Sequence, residues 1–95
     1  MELVFRGAVI HWRGPAPWYF VAVPDDESHD IADVARDVTY GWGCIPVEAQ
    51  IGSTTFETSL FPKDGRYLVP VKVAVRRAER IELGSSVEVS LTLGA

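Results

Sequence analysis

GWGCIPVEAQIGSTTFETSLFPKDGRYLVPVK, Gly41 to Lys72, decides the fold class of this chain, because strand alternation, a tight glycine turn and three prolines follow one another in it without a break. Val47, Ala49 and Ile51 alternate with Glu48 and Gln50. A period of two sends the first set to one face and the polar set to the other, which is the pattern of a half-buried strand. Gly52-Ser53 is a two-residue turn with glycine first, and Thr54 to Leu60 is rich in β-branched and aromatic residues, so the pair reads as a hairpin. Pro62 is expected to end the second strand, since it brings no amide hydrogen to a ladder. Lys63-Asp64-Gly65-Arg66 then turns the chain back into Tyr67-Leu68-Val69.

Working outward, Leu3 to Trp12 is apolar at nearly every position, as in a strand covered on both faces or a barrel strand with a partly capped exterior. Arg13 to Pro17 is a turn stiffened by two prolines, and Trp18 to Val23 is a strand of aromatic and β-branched residues, so the two segments form an opening hairpin. Pro24 closes it. From Asp25 to Val38 the period changes: Ile31, Val34, Ala35 and Val38 fall on one helical stripe, which predicts a helix over about 28–38. Ser28 or Asp26 is available as N-cap, acids sit where the helix dipole favours them, and Gly41 is placed to end the helix or the turn after it. About three turns of helix do not persist alone in water, so this one must lie over the sheet.

Pro70 to Arg77 reads two ways, as a strand with Val71, Val73 and Val75 alternating, or as a short helix opened by proline. Strand is preferred for its first half. Leu83-Gly84-Ser85 is a turn, and Val87, Val89, Leu91 and Leu93 alternate with polar residues in a closing strand. A chain of 95 residues is one domain, expected to be marginally stable alone. Five to seven short strands would leave long apolar edges in an open sheet, so the expectation is a mainly β fold: a small closed or nearly closed barrel of about six strands with one α-helix capping an opening.

Composition narrows the function classes. Hydrophobic residues at 47% and charged residues at 23% describe a globular chain. No apolar run approaches the ~20 residues of a membrane span, and the N-terminus lacks the features of a signal peptide. Cys44 is the only cysteine, which excludes an internal disulfide and suits a reducing, cytoplasmic setting of bacterial type. Its apolar or small neighbours mark it as a buried small hydrophobe rather than a reactive thiol.

A net charge of −4 argues against nucleic acid as a partner, since such affinity comes largely from neutralising phosphates. The charge is uneven, however. Asp25 to Asp37 holds six acids (Asp25, Asp26, Glu27, Asp30, Asp33, Asp37) with Arg36, whereas Lys63 to Arg80 holds six bases (Lys63, Arg66, Lys72, Arg76, Arg77, Arg80) with Asp64 and Glu79. Two solvated faces, pairing with each other in places, is the plain reading; an anion-binding or partner-binding basic patch is the functional one.

Trp18-Tyr19-Phe20, Gly41-Trp42-Gly43, Ile45-Pro46-Val47, Ile51-Gly52, Thr58 to Pro62, Pro70-Val71-Lys72, Arg76 and Gly84 closely resemble the bacterial domain-of-unknown-function family 1905 across essentially the whole chain. The resemblance implies a small β-barrel with one helix, sometimes fused to a bacteriocin-protection-type, OmpD-associated domain, and no established activity. With Ala95 as the last residue, that fused domain is expected to be absent. Val69-Pro70, Lys72, Val75-Arg76 and Leu83-Gly84 also look like the swapped-hairpin barrel of AbrB/MazE-type transcription factors, which bind DNA as dimers. Ser85-Ser86 departs from that pattern, where an acid usually follows the glycine.

His11, His29 and Cys44 are the whole nitrogen and sulfur ligand set and have no close ligand spacing, so no metal or cofactor is expected. A triad could be named from Ser59, His11 and an acid, but nothing supplies an oxyanion hole. Trp42 between two glycines is either a core anchor, whose removal would cost about 3–5 kcal/mol, or a pocket wall. In the second case Thr58 and Ser59 donate hydrogen bonds, and Lys72 and Arg76 bind an anion. The leading expectation is thus a non-enzymatic module, monomer or weak homodimer, that binds a small anionic ligand or a protein partner through Trp42, Thr58, Ser59, Lys72 and Arg76. The rivals are a DNA-binding barrel of transcription-factor type and an enzyme centred on Lys72 or Cys44.

Overall fold

The computed structural model describes residues 1–12, 18–38 and 44–93. Six strands and two helices follow in the order β1 (Glu2–Trp12), β2 (Trp18–Ala22), α1 (Asp25–Val38), β3 (Ile45–Ile51), β4 (Thr54–Lys63), β5 (Arg66–Val71), α2 (Val73–Ala78) and β6 (Ser86–Leu93). The strands close into an antiparallel barrel in the order β1-β2-β5-β4-β3-β6. Closure removes the apolar edges that an open sheet of these strands would expose.

Register shows how alternation fills the interior. Val9, Val21 and Val69 stand side by side across β1, β2 and β5. Phe5, Val89 and Ile51 do the same across β1, β6 and β3. All six are buried and belong to one core. Gly7 is placed where β1 changes partner, pairing with β6 through Ala8 and with β2 from Val9 onward. A side chain there would run into the backbone carbonyl of Ala22, so only glycine lets β2 cross so close.

The two hairpin turns follow their residues. Gly52 takes φ +59°, as a glycine-first two-residue turn requires. Asp64 and Gly65 both take positive φ, at 53° and 78°, which matches the right-handed twist of β4 and β5. The strand order and registers place α1 and the β4–β5 turn at one end of the barrel, and α2 and the β3–β4 turn at the other.

Four expectations need correction. The fold holds two helices rather than one: the chain is strand through Pro70 and Val71 but helical from Val73, and α2 closes the end that α1 leaves open. β4 continues through Pro62 to Lys63, with Pro62 opposite Tyr67 in the ladder. α1 begins at Asp25, and its first turn bonds the Ser28 amide to the Pro24 carbonyl, so neither Ser28 nor Asp26 is the N-cap. The outer face of β1 is uncovered, with Val4 and Ile10 exposed. Gly41 and the Arg13 to Pro17 turn lie outside the described residues.

At the α1 end, Ser28 is buried. Its hydroxyl donates to the Val23 carbonyl at 3.2 Å and accepts from the Tyr67 amide at 3.3 Å. The Val23 amide bonds the Tyr67 carbonyl at 3.0 Å, so the serine carries the β2–β5 pairing one step further and fastens the helix to it. Ile31 is fully buried beneath the helix. Asp25 accepts from Arg66 Nε at 2.7 Å, joining the acidic segment to the basic one.

Candidate functional site

The other end begins with a proline. Pro70 has no amide hydrogen to offer β4, and the registered β4–β5 ladder stops at Phe61 opposite Leu68. The Thr58 hydroxyl donates instead to the Pro70 carbonyl at 3.4 Å. Two residues on, Lys72 holds extended φ/ψ of −67° and 153°, and the chain turns into α2. The Arg76 amide bonds the Lys72 carbonyl at 2.9 Å, so the two cations belong to the first turn of α2 and its N-cap.

Arg76 is half-buried, and its guanidinium carbon lies 3.8 Å from the centroid of the Tyr19 ring. Tyr19 comes from the inner face of β2, opposite His11 in β1 and Val71 in β5. The His11 ring meets it edge-on, with centroids 5.5 Å apart and planes at 69°. Stacking over a ring face holds an arginine by cation–π attraction and leaves the in-plane N–H groups pointing away from the ring. His11, Tyr19 and Arg76 therefore form one column at the barrel rim, with Lys72 at the N-cap of the helix that carries Arg76.

α2 is anchored beneath by Val75 and Ile81, both buried. It ends in a six-to-one bond from the Ile81 amide to the Arg76 carbonyl at 2.9 Å, and a companion from the Arg80 amide to the Arg77 carbonyl at 3.4 Å. This cap requires a left-handed residue, and Arg80 takes φ +51° in the place glycine usually fills. Glu79 turns back toward the β3–β4 hairpin and accepts from Thr54 Oγ1 at 2.6 Å and Ser53 Oγ at 3.4 Å, its carboxylate packed against Gly52. The only acid within the helix and its cap is thus engaged by hydroxyls. Among the described residues, Lys72, Arg76, Arg77 and Arg80 have no ion-pair partner.

Of the residues singled out from sequence, Lys72 and Arg76 both belong to the start of α2, joined through the Arg76 amide and the Lys72 carbonyl. Thr58 is nearby in the fold, but its hydroxyl bridges the gap in the ladder. Ser59 is exposed on the outer wall, opposite Pro46 of β3, because consecutive strand residues face opposite ways. Trp42 lies outside the described residues. The six bases do not form one edge: Lys63 and Arg66 flank the turn at the α1 end, and the other four surround α2. Cys44 is half-buried rather than buried. His11 is at the rim of β1 and His29 is in α1, at the opposite end, and no group of three or more His, Cys, Asp or Glu among the described residues could hold a metal. Asp25, with its carboxyl held below the usual range by the Arg66 hydrogen bond and charge, belongs to the α1 end and not to this site.

Tyr19 and His11 are the site residues that sequence reasoning missed. Tyr19 continues the inner-face series of Val21 and Val23 in period two, and a polar-tipped aromatic at the end of such a series was the available signal. Its partnership with His11 depended on a hairpin register that the five-residue connection does not dictate.

No described helix is long and apolar enough to cross a membrane. No curated protein matches the chain in sequence. The model of the family described as Domain of unknown function (DUF1905) matches residues 5–91, from the first strand into the last. With that span of its length matched, the chain belongs to the DUF1905 family.

Proposed function

We propose that the barrel is a non-enzymatic binding module whose α2 end takes up a small anion between Lys72 and Arg76. The observation that carries this reading is Arg76 itself. It is oriented by the Tyr19 ring, it is half-buried, and no carboxylate among the described residues neutralises it. An arginine stacked in this way offers a fixed fork to an oxyanion, and Lys72 at the N-cap of the same helix adds a second charge. A bacterial, cytoplasmic setting is part of the reading and rests on the single cysteine and on the family resemblance.

A protein partner is the second reading, and the outer wall favours it. Ile10, Phe20 and Pro70 form one outward row across β1, β2 and β5, and Ala22, Leu68 and Phe61 form another across β2, β5 and β4, of which Leu68 is buried, Ala22 half-buried and Phe61 exposed. Phe61 is 42% exposed and Ile10 39%. Apolar rows of this kind on an outer face are a common mark of an interaction surface.

Thermal unfolding of the purified protein with phosphate, citrate, acetate and short duplex DNA, in low and moderate salt, tests the first reading. A ligand at about a hundred times its Kd adds about 2.7 kcal/mol to stability. The expected result is a raised midpoint with a small anion, lost in Lys72→Ala and Arg76→Ala. A midpoint insensitive to every anion, together with self-association abolished by Phe61→Ser, would overturn it in favour of the second. Stabilisation by duplex DNA that collapses steeply with salt would point instead to a nucleic-acid surface.

A further inference from the structure

We propose that the anion is a phosphomonoester dianion, and that Tyr19 and His11 complete the site formed by Lys72 and Arg76. The inference rests on the reading above and narrows it.

The argument starts from a donor inventory. Lys72 contributes an ammonium with three N–H groups, Arg76 a guanidinium with five, Tyr19 a hydroxyl and His11 a ring N–H. None of these side-chain groups has a hydrogen-bond partner among the described residues. The nearest acid in sequence, Glu79, is turned away to Thr54 and Ser53. A rim in which donors far outnumber acceptors fits an oxyanion with several acceptor oxygens. The Tyr19 ring covers one face of the Arg76 guanidinium at 3.8 Å, so the free approach is to its edge, where two parallel N–H···O bonds form.

Charge then selects among oxyanions. Lys72 caps the helix turn that carries Arg76, so two positive charges stand four positions apart in sequence with no carboxylate between them. A monocarboxylate neutralises only one of them. A phosphomonoester, whose second pKa is about 6, carries close to two negative charges at neutral pH and three acceptor oxygens. It neutralises both cations and leaves an oxygen for the tyrosine hydroxyl or the imidazole. Tyr19 thus acts twice, as a platform that positions Arg76 and as a donor at the ring's polar tip.

The test is calorimetric titration of the full chain with phenyl phosphate, inorganic phosphate and benzoate at matched ionic strength. Phenyl phosphate is expected to bind about tenfold or more tighter than benzoate, a difference of about 1.4 kcal/mol. Arg76→Lys keeps the charge and removes the fork, and is expected to lose affinity for phenyl phosphate severalfold. Tyr19→Phe keeps the ring and removes the hydroxyl, and His11→Ala alters an exposed residue, so both variants are expected to fold and to bind more weakly. Benzoate binding as well as phenyl phosphate, in a manner that depends on Lys72 and Arg76, overturns this inference and leaves the anion-binding reading standing. Phenyl phosphate binding that is unchanged in both Tyr19→Phe and His11→Ala overturns the part given to those residues. No binding of any of the three anions overturns both readings.

Discussion

The two ends of the barrel are closed by helices of opposite character. α1 has fourteen residues, a buried serine wired to two strands, a fully buried isoleucine and an acid already paired with the arginine across from it. α2 has six residues, a left-handed arginine at its cap, and four cations in and around it without an ion-pair partner among the described residues. At the first end, Ser28 and the Asp25–Arg66 pair tie the helix to the strands, and the helix stabilises the fold. At the second, two apolar side chains and one carboxylate hold a short helix while its basic groups face outward. The contrast assigns stability to one end and binding to the other, and each half of that assignment can be broken.

The largest effect should come from the apolar side chain beneath each helix. Ile31→Ala removes a fully buried side chain under α1, and the expected loss is about 2–5 kcal/mol, a large part of the 5–15 kcal/mol typical of a domain. Val75→Ala under α2 deletes fewer methyl groups and should cost about 1–3 kcal/mol. Urea unfolding midpoints at constant slope would measure both. Equal losses would mean that the two ends carry the fold alike.

Next is the serine. Ser28→Ala leaves the Tyr67 amide and the Val23 carbonyl without the hydroxyl that joins them, in a place shut off from water, and should cost about 1–3 kcal/mol. Hydrogen exchange would localise the change: the Tyr67 amide should lose protection while amides of α2 keep theirs. At the opposite end the sign reverses. Arg80 holds φ +51°, a conformation that costs an L-residue roughly 1–2 kcal/mol, and Arg80→Gly relieves it against a glycine entropy penalty of about 0.5–1 kcal/mol. The expected outcome is a gain of up to about 1.5 kcal/mol in a denaturant titration. If anion binding also survives that variant, Arg80 is a cap and Lys72 with Arg76 is the site.

How far the sequence carried the fold depended on whether a residue's role was local. The period-two series Val47, Ala49, Ile51 and Val87, Val89, Leu91, Leu93 lie inward in the structure, and both hairpin turns form where glycine stands, because alternation and positive φ are properties of a few neighbouring residues. α2 was ambiguous for the same reason. Six residues rich in valine carry a strand's propensity, and what makes them a helix is the end of the ladder at Pro70 and the burial of Val75 and Ile81, both non-local facts. Lys72 and Arg76 were named together because both fall in the basic, motif-bearing segment, and their nearness in sequence puts both at the start of α2. Ser59 was assigned with Thr58 by adjacency, which in a strand means opposite faces. Tyr19 and His11 were not legible as partners of Arg76, since a ring under a guanidinium 57 positions later is fixed only by barrel closure.

The smallest expected effect concerns the ion pair that distinguishes the α1 end. The Arg66 hydrogen bond, and then its charge, hold the Asp25 carboxyl below its usual pKa, although the two side chains are 50% and 68% exposed. A group whose pKa is lowered on folding adds stability above its unfolded value and loses that contribution as pH falls through the folded one. Any stabilisation from this pair is therefore present at neutral pH and disappears in acid, below the ordinary carboxylate range. With both partners in water it should be slight, and salt should weaken it. Carbon-detected NMR of the Asp25 carboxyl gives the direct reading: its titration midpoint should rise in Arg66→Ala, and the stabilities of variant and parent should converge at low pH. A midpoint that does not move would mean the two side chains meet without interacting in solution. Asp25 would then join the other described acids of α1 in having no partner, like the cations of α2, and only Ser28 and Ile31 would separate the ends.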